Sequence, residues 1–500
     1  MTNETPQSVF HRDVTLLCGF ASLILVVHWW LGDGYGFHRD ELQFLDDARH
    51  LQWGFVAYPP LTAFCGRVAI ALFGISPQVF RLPAALANAL SLVLVGLTAR
   101  ELGGRRVAQL LAMAAAFPLA LGFSSVLQYN SFDLLAWCIV VLFATRLLRT
   151  EDARNWVGVG MGIGIGVLSK YSIAFLVLSL LAGIAVLPSQ RRWLRSRWFW
   201  YGVIMALVIA APNLIWLASH QFITLRMESF IHARDVHQGR AAGFYMDQLK
   251  FTLFAFPLAL AGLVSLVRSS RWRLLNCCYL GPFVLLALAK GRGYYLVPAY
   301  MVLYAAGAVW LERALADRPQ WMRGVISAAV VCGILLDVAV VGWTYLPMWR
   351  VGSAPWNWQM KNNADMANEV SWPEFVAQVA AVRDHLPPDE RAHVAVLANN
   401  FGEAGAIELY GPSFGLPTPI SSINSFHARG YGPVEPETLI VVGSTLEDQL
   451  KNFRTCTVAA HVWLPYGVHN EETEYHPEIL VCRDLRESWP EVWSRSQEFG

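Results

Sequence analysis

Charge is what this chain has least of. Only 15% of its 500 residues are charged, against about 25% in a soluble protein of ordinary composition. Lysine is rarest: five in all, at Lys170, Lys250, Lys290, Lys361 and Lys451. The net charge of +1 excludes a dedicated nucleic-acid binder, which needs a basic excess to hold phosphates. The eight cysteines show no CxxC spacing. Six of them (Cys18, Cys65, Cys138, Cys277, Cys278 and Cys332) lie in apolar segments and read as buried thiols. Cys456 and Cys482 lie in the polar C-terminal part and can pair if that part is outside the cytoplasm. Internal repeats and Gly-rich phosphate loops are missing. So is a cleavable signal peptide: the first apolar run, Val14 to Leu31, is too long for an h-region and reads as a retained span.

What is abundant is apolar sequence, 55% of the chain, in blocks of roughly 17–22 residues, the length that crosses a bilayer. The expected fold is a polytopic α-helical membrane protein. Eleven spans are expected, at 14–31, 79–100, 106–125, 130–149, 156–169, 171–187, 198–219, 249–267, 273–289, 294–311 and 324–343. Leu61 to Gly74 is apolar but short and carries Arg67, so it is expected to lie in the interface. Arginines crowd alternate connections: Arg100 to Arg106, Arg146 to Arg154, Arg191 to Arg197, Arg268 to Arg273 and Arg313 to Arg323. Two spans separate successive clusters, so all fall on one face, which the positive-inside rule makes cytoplasmic. The N-terminus is then cytoplasmic, and the external segments are 32–78, Ser125 to Asn130, Ser169 to Ser172, His220 to Gly243, Lys290 to Tyr295 and everything after Thr344. The expected division is a transmembrane part, 1–344, and a small extracytoplasmic α/β domain, 345–500. Within the latter, Trp349 to Trp372 shows no helical periodicity. Glu374 to His385 and Ala404 to Tyr410 read as helices, and Val394 to Leu397, Thr438 to Val442 and Ile479 to Cys482 as strands.

The first external loop holds the densest charge, His38-Arg39-Asp40-Glu41, followed by Asp46-Asp47-Ala48-Arg49-His50 and Tyr58-Pro59-Pro60. Asp40 and Glu41 diverge by about 100° on a helix, so one of them at most faces a given site. The acid that does is a candidate base or acceptor-binding group; the alternative is an acid stabilising a helix N-terminus. Asp46, Asp47 and Arg49 read as a solvated face. Asp133 opens a span after Asn130 and is either a site acid or a first-turn dipole residue. Lys170, Lys290 and Arg292 sit at outer span ends, where the positive-inside rule disfavours them. With Arg81, they are candidates for a phosphate site or, in the case of the lysines, snorkelling side chains. His220, His232 and His237 match no metal signature and leave 220–243 as a flexible loop.

These residues resemble a known family. His38-Arg39-Asp40-Glu41-Leu42, Gly54 to Pro60, Tyr129-Asn130-Ser131-Phe132-Asp133, Ser169-Lys170-Tyr171-Ser172, Pro212 to Trp216 and Lys290 to Pro298 look like the protein-mannosyltransferase-like glycosyltransferases. These are GT-C-fold membrane enzymes akin to protein O-mannosyltransferases and the aminoarabinose transferase of lipid A. Asn400 to Ala406 and Ile420 to Tyr431 extend the likeness to the C-terminal part. The resemblance implies sugar transfer from a polyprenyl-phosphate donor to an envelope acceptor (lipid, polysaccharide or protein) at the outer face of the inner membrane. Asp40 would be the catalytic carboxylate, supported by Glu41 and Asp133. Lys170, Lys290, Arg292 and Arg81 would meet the donor phosphate, and His38, Arg39, Tyr58, Asn130, Tyr171, Tyr294 and Tyr295 would line the substrate pocket. Tyr58 stands where aminoarabinose transferases carry a lysine, so the phosphate contact falls to the other cations. A divalent cation is compatible with this chemistry, but no clear ligand set encodes one. The rival reading is a transporter or flippase of a lipid-linked or anionic solute. That reading calls for repeats and midplane charges, and Asp337 is the only acid deep in a span.

Overall fold

A computed structural model describes residues 6–500. Eight of its helices are long and apolar enough to cross a membrane, and a ninth candidate is a bent pair. Two shorter apolar helices, Asn155–Ser169 and Arg273–Leu288, complete the set expected from hydropathy. The protein is a multi-pass membrane protein. Its apolar blocks become helices because a lipid-embedded backbone must satisfy its own hydrogen bonds. Where a helix breaks, side chains step in. The chain reverses φ at Leu253 between Phe244–Thr252 and Phe256–Arg268. The freed N–H groups of Phe254 and Ala255 donate to Asp337 at 3.0 and 3.1 Å. The deep acid is thus a backbone cap.

Helix Asn155–Ser169 is too short to span at full thickness, but it has glycine at every second position from Gly158 to Gly166. A Cβ on Gly160 would overlap the backbone of Gly202. Small residues here let two spans approach at backbone distance, the usual basis of packing in lipid. The thirteen-residue helix Leu61–Phe73 exposes Val68, Leu72 and Phe73 and buries Ala69 and Ile70, as a helix lying at an interface does.

After Tyr345 the structure changes character. Helix Ala354–Asn362 follows the last span, and helices Trp372–Asp384 and Phe401–Tyr410 pack with a four-stranded sheet of order β1-β2-β4-β3, formed by Ala395–Ala398, Thr438–Val442, Phe453–His461 and Glu478–Leu485. β1 and β2 are parallel and the other pairings antiparallel. Strand β3 has no counterpart in the sequence reading. It is an edge strand with mostly exposed residues and no apolar alternation. Cys456 and Cys482 are cross-strand partners on β3 and β4 and form a disulfide. Two further expectations need correction. Helix Ile223–His237 occupies most of the expected loop 220–243, anchored by buried Met227 and by Thr224 Oγ1 donating to Phe55 O at 2.9 Å. Helix Ala354–Asn362, with Ser353 as its N-cap, occupies the stretch without periodicity; burial of Trp356 and Gln359 holds it.

The first-loop helix, Arg39–Arg49, is built into the same apolar core as the C-terminal part. Phe37, Leu42, Phe44 and Leu45 share one cluster with Phe375, Val379 and Ile407. Helix Phe401–Tyr410 crosses it closely, and a Cβ on Gly405 would lie 2.7 Å from the Leu42 backbone. Gly405→Val should therefore push the two helices apart. The expected result is a lower unfolding temperature in detergent and faster proteolysis after residue 345; an unchanged digestion pattern would count against this close contact.

Candidate functional site

The first-loop helix divides its charges by direction, as the 100° step requires. Glu41 faces inward. Its Oε2 accepts from the His38 N–H at 2.9 Å, closing a capping box, and its Oε1 accepts from the Leu127 N–H at 2.7 Å. The Arg81 guanidinium lies against the same carboxylate, with Nη2 at 2.7 Å from Glu41 Oε2 and 3.2 Å from Glu369 Oε2. Arg81 also donates to Gly32 O and Gly36 O at 3.0 and 2.8 Å. Both side chains are fully buried. Glu41 and Arg81 are therefore locked into one another, away from the cavity described below. The expectation that they serve catalysis and phosphate binding gives way to a structural role.

Asp46 and Asp47 are buried as well, contrary to the solvated face expected. Arg429 reaches back from the C-terminal part to both, lying 3.1 Å from Asp47, and Tyr58 donates to Asp47 Oδ2 at 2.7 Å. Tyr58 thus belongs to the core rather than to a pocket. Asn424 Nδ2 donates to Gln43 Oε1 at 3.1 Å. Tertiary pairing with residues some 380 positions away buries this face, and helical spacing alone carries no sign of it.

Asp40 points the other way, into a cavity of about 880 Å³ between the spans and the C-terminal part. The carboxylate is only partly covered, and its Oδ2 accepts from Gln128 Nε2 at 2.9 Å. Water reaches it through the cavity, while protein surrounds it on the other sides. Burial raises its carboxyl above the ordinary carboxylate range. His38 opposes the shift most and Arg39 less, while Asp365 and Glu41 add to it. The other acids of the cavity wall each face a cation or an imidazole: Asp365 lies 3.4 Å from His38 Nε2, Glu369 pairs with Arg81, and Glu471 with Arg39. Among the described residues, Asp40 is the acid of this wall without an ion pair.

Of the other expected pocket residues, His38, Arg39, Asn130 and Tyr294 line the cavity. Lys170 sits behind that wall. Its Nζ donates to Asn130 Oδ1 at 2.8 Å and stands 4.0, 4.6 and 5.0 Å from the ring centres of Tyr295, Tyr294 and Tyr129, a three-sided aromatic cage for a cation. Asp133 lies deeper, held by Ser172 Oγ at 3.2 Å. Tyr171 turns to Asn213 Oδ1 at 2.9 Å. Lys290 is exposed and lines no part of the cavity. Arg292 does line it, gripped by Asp235 at 2.5 and 2.9 Å, and Arg240 shares that carboxylate at 3.4 Å. Arg234, Arg240, Asp235, Asp365 and Asn368 were missed in the sequence. Arginines on a segment expected to be external, where the positive-inside rule disfavours them, were the signal available for the first two. No group of three metal-binding side chains occurs among the described residues.

Arg81→Leu should leave Glu41 and Glu369 buried without a counter-charge, which costs about 3–5 kcal/mol. The expected readout is a protein that misfolds or unfolds well below the parent in a detergent thermal scan. An unfolding temperature unchanged by the substitution would contradict the structural role.

Comparison with known proteins bears on this geometry. Residues 57–216 match the family model of dolichyl-phosphate-mannose-protein mannosyltransferases. Over 181 residues the chain is 29% identical to the lipopolysaccharide core galacturonosyltransferase RgtA of Rhizobium johnstonii. That match spans 34% of this chain and 35% of the relative, about a third of each. In fold, the chain is similar to ArnT from Cupriavidus metallidurans bound to undecaprenyl phosphate, with a TM-score of 0.58 and 15% identity over 92% of this chain and 97% of that one. The apo form of the same protein gives a TM-score of 0.56 at 14% identity, over 92% and 96%. The resemblance to the protein-mannosyltransferase-like and ArnT-like proteins of the GT-C fold is borne out, in sequence over residues 57–216 and in fold over nearly the whole chain.

Proposed function

We propose that the protein transfers a sugar from a polyprenyl-phosphate donor to an envelope acceptor, at the outer face of a bacterial inner membrane with the N-terminus cytoplasmic. The observation that carries this reading is Asp40: a carboxylate held without an ion pair on the wall of a cavity that also exposes guanidinium groups. In the proposed step the acceptor oxygen attacks the anomeric carbon as the bond from that carbon to the phosphate oxygen breaks, through an oxocarbenium-like state. Asp40 takes the acceptor proton, and the departing polyprenyl phosphate keeps the bonding electron pair. Arg292 supplies positive charge where the leaving phosphate develops its own. Lys170, caged by tyrosines and tied to Asn130, orients the same wall. The sequence match over 57–216 and the fold shared with a protein bound to undecaprenyl phosphate support the donor class. The apolar spans suit a prenyl chain, and the part from 345 to 500 closes the acceptor side. The transporter reading, which calls for midplane charges, is weakened further, because the deep acid Asp337 is used as a backbone cap.

Asp40→Asn in purified, lipid-reconstituted protein should reduce transfer from polyprenyl-phosphate donors by about 10²–10⁴-fold, mainly in kcat. Turnover at the parental rate would remove the catalytic assignment. The pH profile gives a separate check. Asp40 must be ionised to accept a proton, and its pKa is raised. Activity should therefore rise with pH along a limb above the ordinary carboxylate range, near 4, and an inflection at or below that value would contradict the burial effect.

A further inference from the structure

The arginine-rich ends of the spans hold a second feature, none of whose residues lines the cavity. After helix Ile173–Val186 the chain turns by 109° into the short helix Pro188–Arg195. The second helix therefore runs across the end of its span rather than onward from it. Buried Trp193 pins it, donating from Nε1 to Gln190 Oε1 at 2.9 Å and packing on the Trp156 ring at 6.4 Å. With that side anchored, Arg191, Arg192 and Arg195 are exposed, alongside exposed Leu194 and Trp200. Neighbouring connections add to the charge. Arg271 donates to Leu148 O and Arg149 O at 3.2 and 2.5 Å, which ties segment 268–273 to segment 149–154, and Glu151 joins the latter to Arg192 at 3.1 Å. The three segments 149–154, 188–197 and 268–273 contain nine arginines and two acids. Such a surface repels itself unless anions lie against it. Its mixture of guanidinium groups with exposed Trp and Leu matches the boundary between headgroups and acyl chains.

We propose that the helix Pro188–Arg195, with its flanking connections, is a binding surface for anionic phospholipid headgroups. The occupant is a lipid rather than a free anion, because the exposed Leu194 and Trp200 stand beside the cations and offer an apolar contact that inorganic phosphate cannot use. The surface is independent of the transfer reaction and involves none of the residues assigned to it.

The test uses the full chain, purified in detergent and stripped of lipid, with native mass spectrometry of added phosphatidylglycerol and phosphatidylcholine. The parent should retain phosphatidylglycerol in preference, and rising salt should weaken that retention. The triple variant R191Q/R192Q/R195Q should bind phosphatidylglycerol about a hundredfold more weakly, at about fivefold per arginine, with phosphatidylcholine binding unchanged. The triple lysine variant, which keeps the charge, should stay within a few-fold of the parent and serves as the control for folding. Equal retention of the two lipids by the parent, an unaltered affinity in the glutamine variant, or equal losses in the glutamine and lysine variants would each overturn the proposal.

Discussion

The buried contact of Arg81 with Glu41 and Glu369 is the constraint on which the cavity-bearing half of the molecule depends. One guanidinium joins a span, the first-loop helix and the chain beyond the last span, and all three charged side chains are buried. Removing two carboxylates and a guanidinium from water costs several kcal/mol per ion, and only full pairing offsets it. Arg81 meets that condition through two carboxylates and two carbonyl oxygens. This geometry fixes the rotation of the first-loop helix about its axis. With Glu41 turned inward, Asp40 has to face the cavity.

The same helix is held from its other end. Arg429 pairs with Asp46 and Asp47, while Gly405 lets helix Phe401–Tyr410 come within backbone distance of Leu42. The C-terminal part is consequently more than a cover. It completes the core under the first loop and supplies Asp365, Asn368 and Glu369 to the cavity wall. Proposed catalysis at Asp40 therefore relies on residues more than 300 positions away in sequence. A partly covered carboxylate without an ion pair keeps a raised pKa only while that wall stays in place.

Much of the architecture was legible because lipid imposes a simple rule: apolar blocks of spanning length must be helices. The spans follow from hydropathy, and Asp40 stands out as a charge where charge is scarce. The errors have a common cause. Asp46 and Asp47 look solvated until Arg429 and Tyr58 are brought to them, and Glu41 and Arg81 look like site residues until they meet each other. Helix Ile223–His237 is mostly polar and gains its order from contacts such as that of Thr224 with Phe55 O. Strand β3 takes its form from pairing with β4 rather than from its own pattern.

The sequence by itself determined the membrane-spanning plan, the concentration of charge at span ends and the choice between two adjacent acids as a question of direction. Each of these follows from local quantities: hydropathy, helical pitch and the scarcity of charge. Only the tertiary structure decided which acid is free. That outcome rests on which buried charges find partners, and the partners come from opposite ends of the chain.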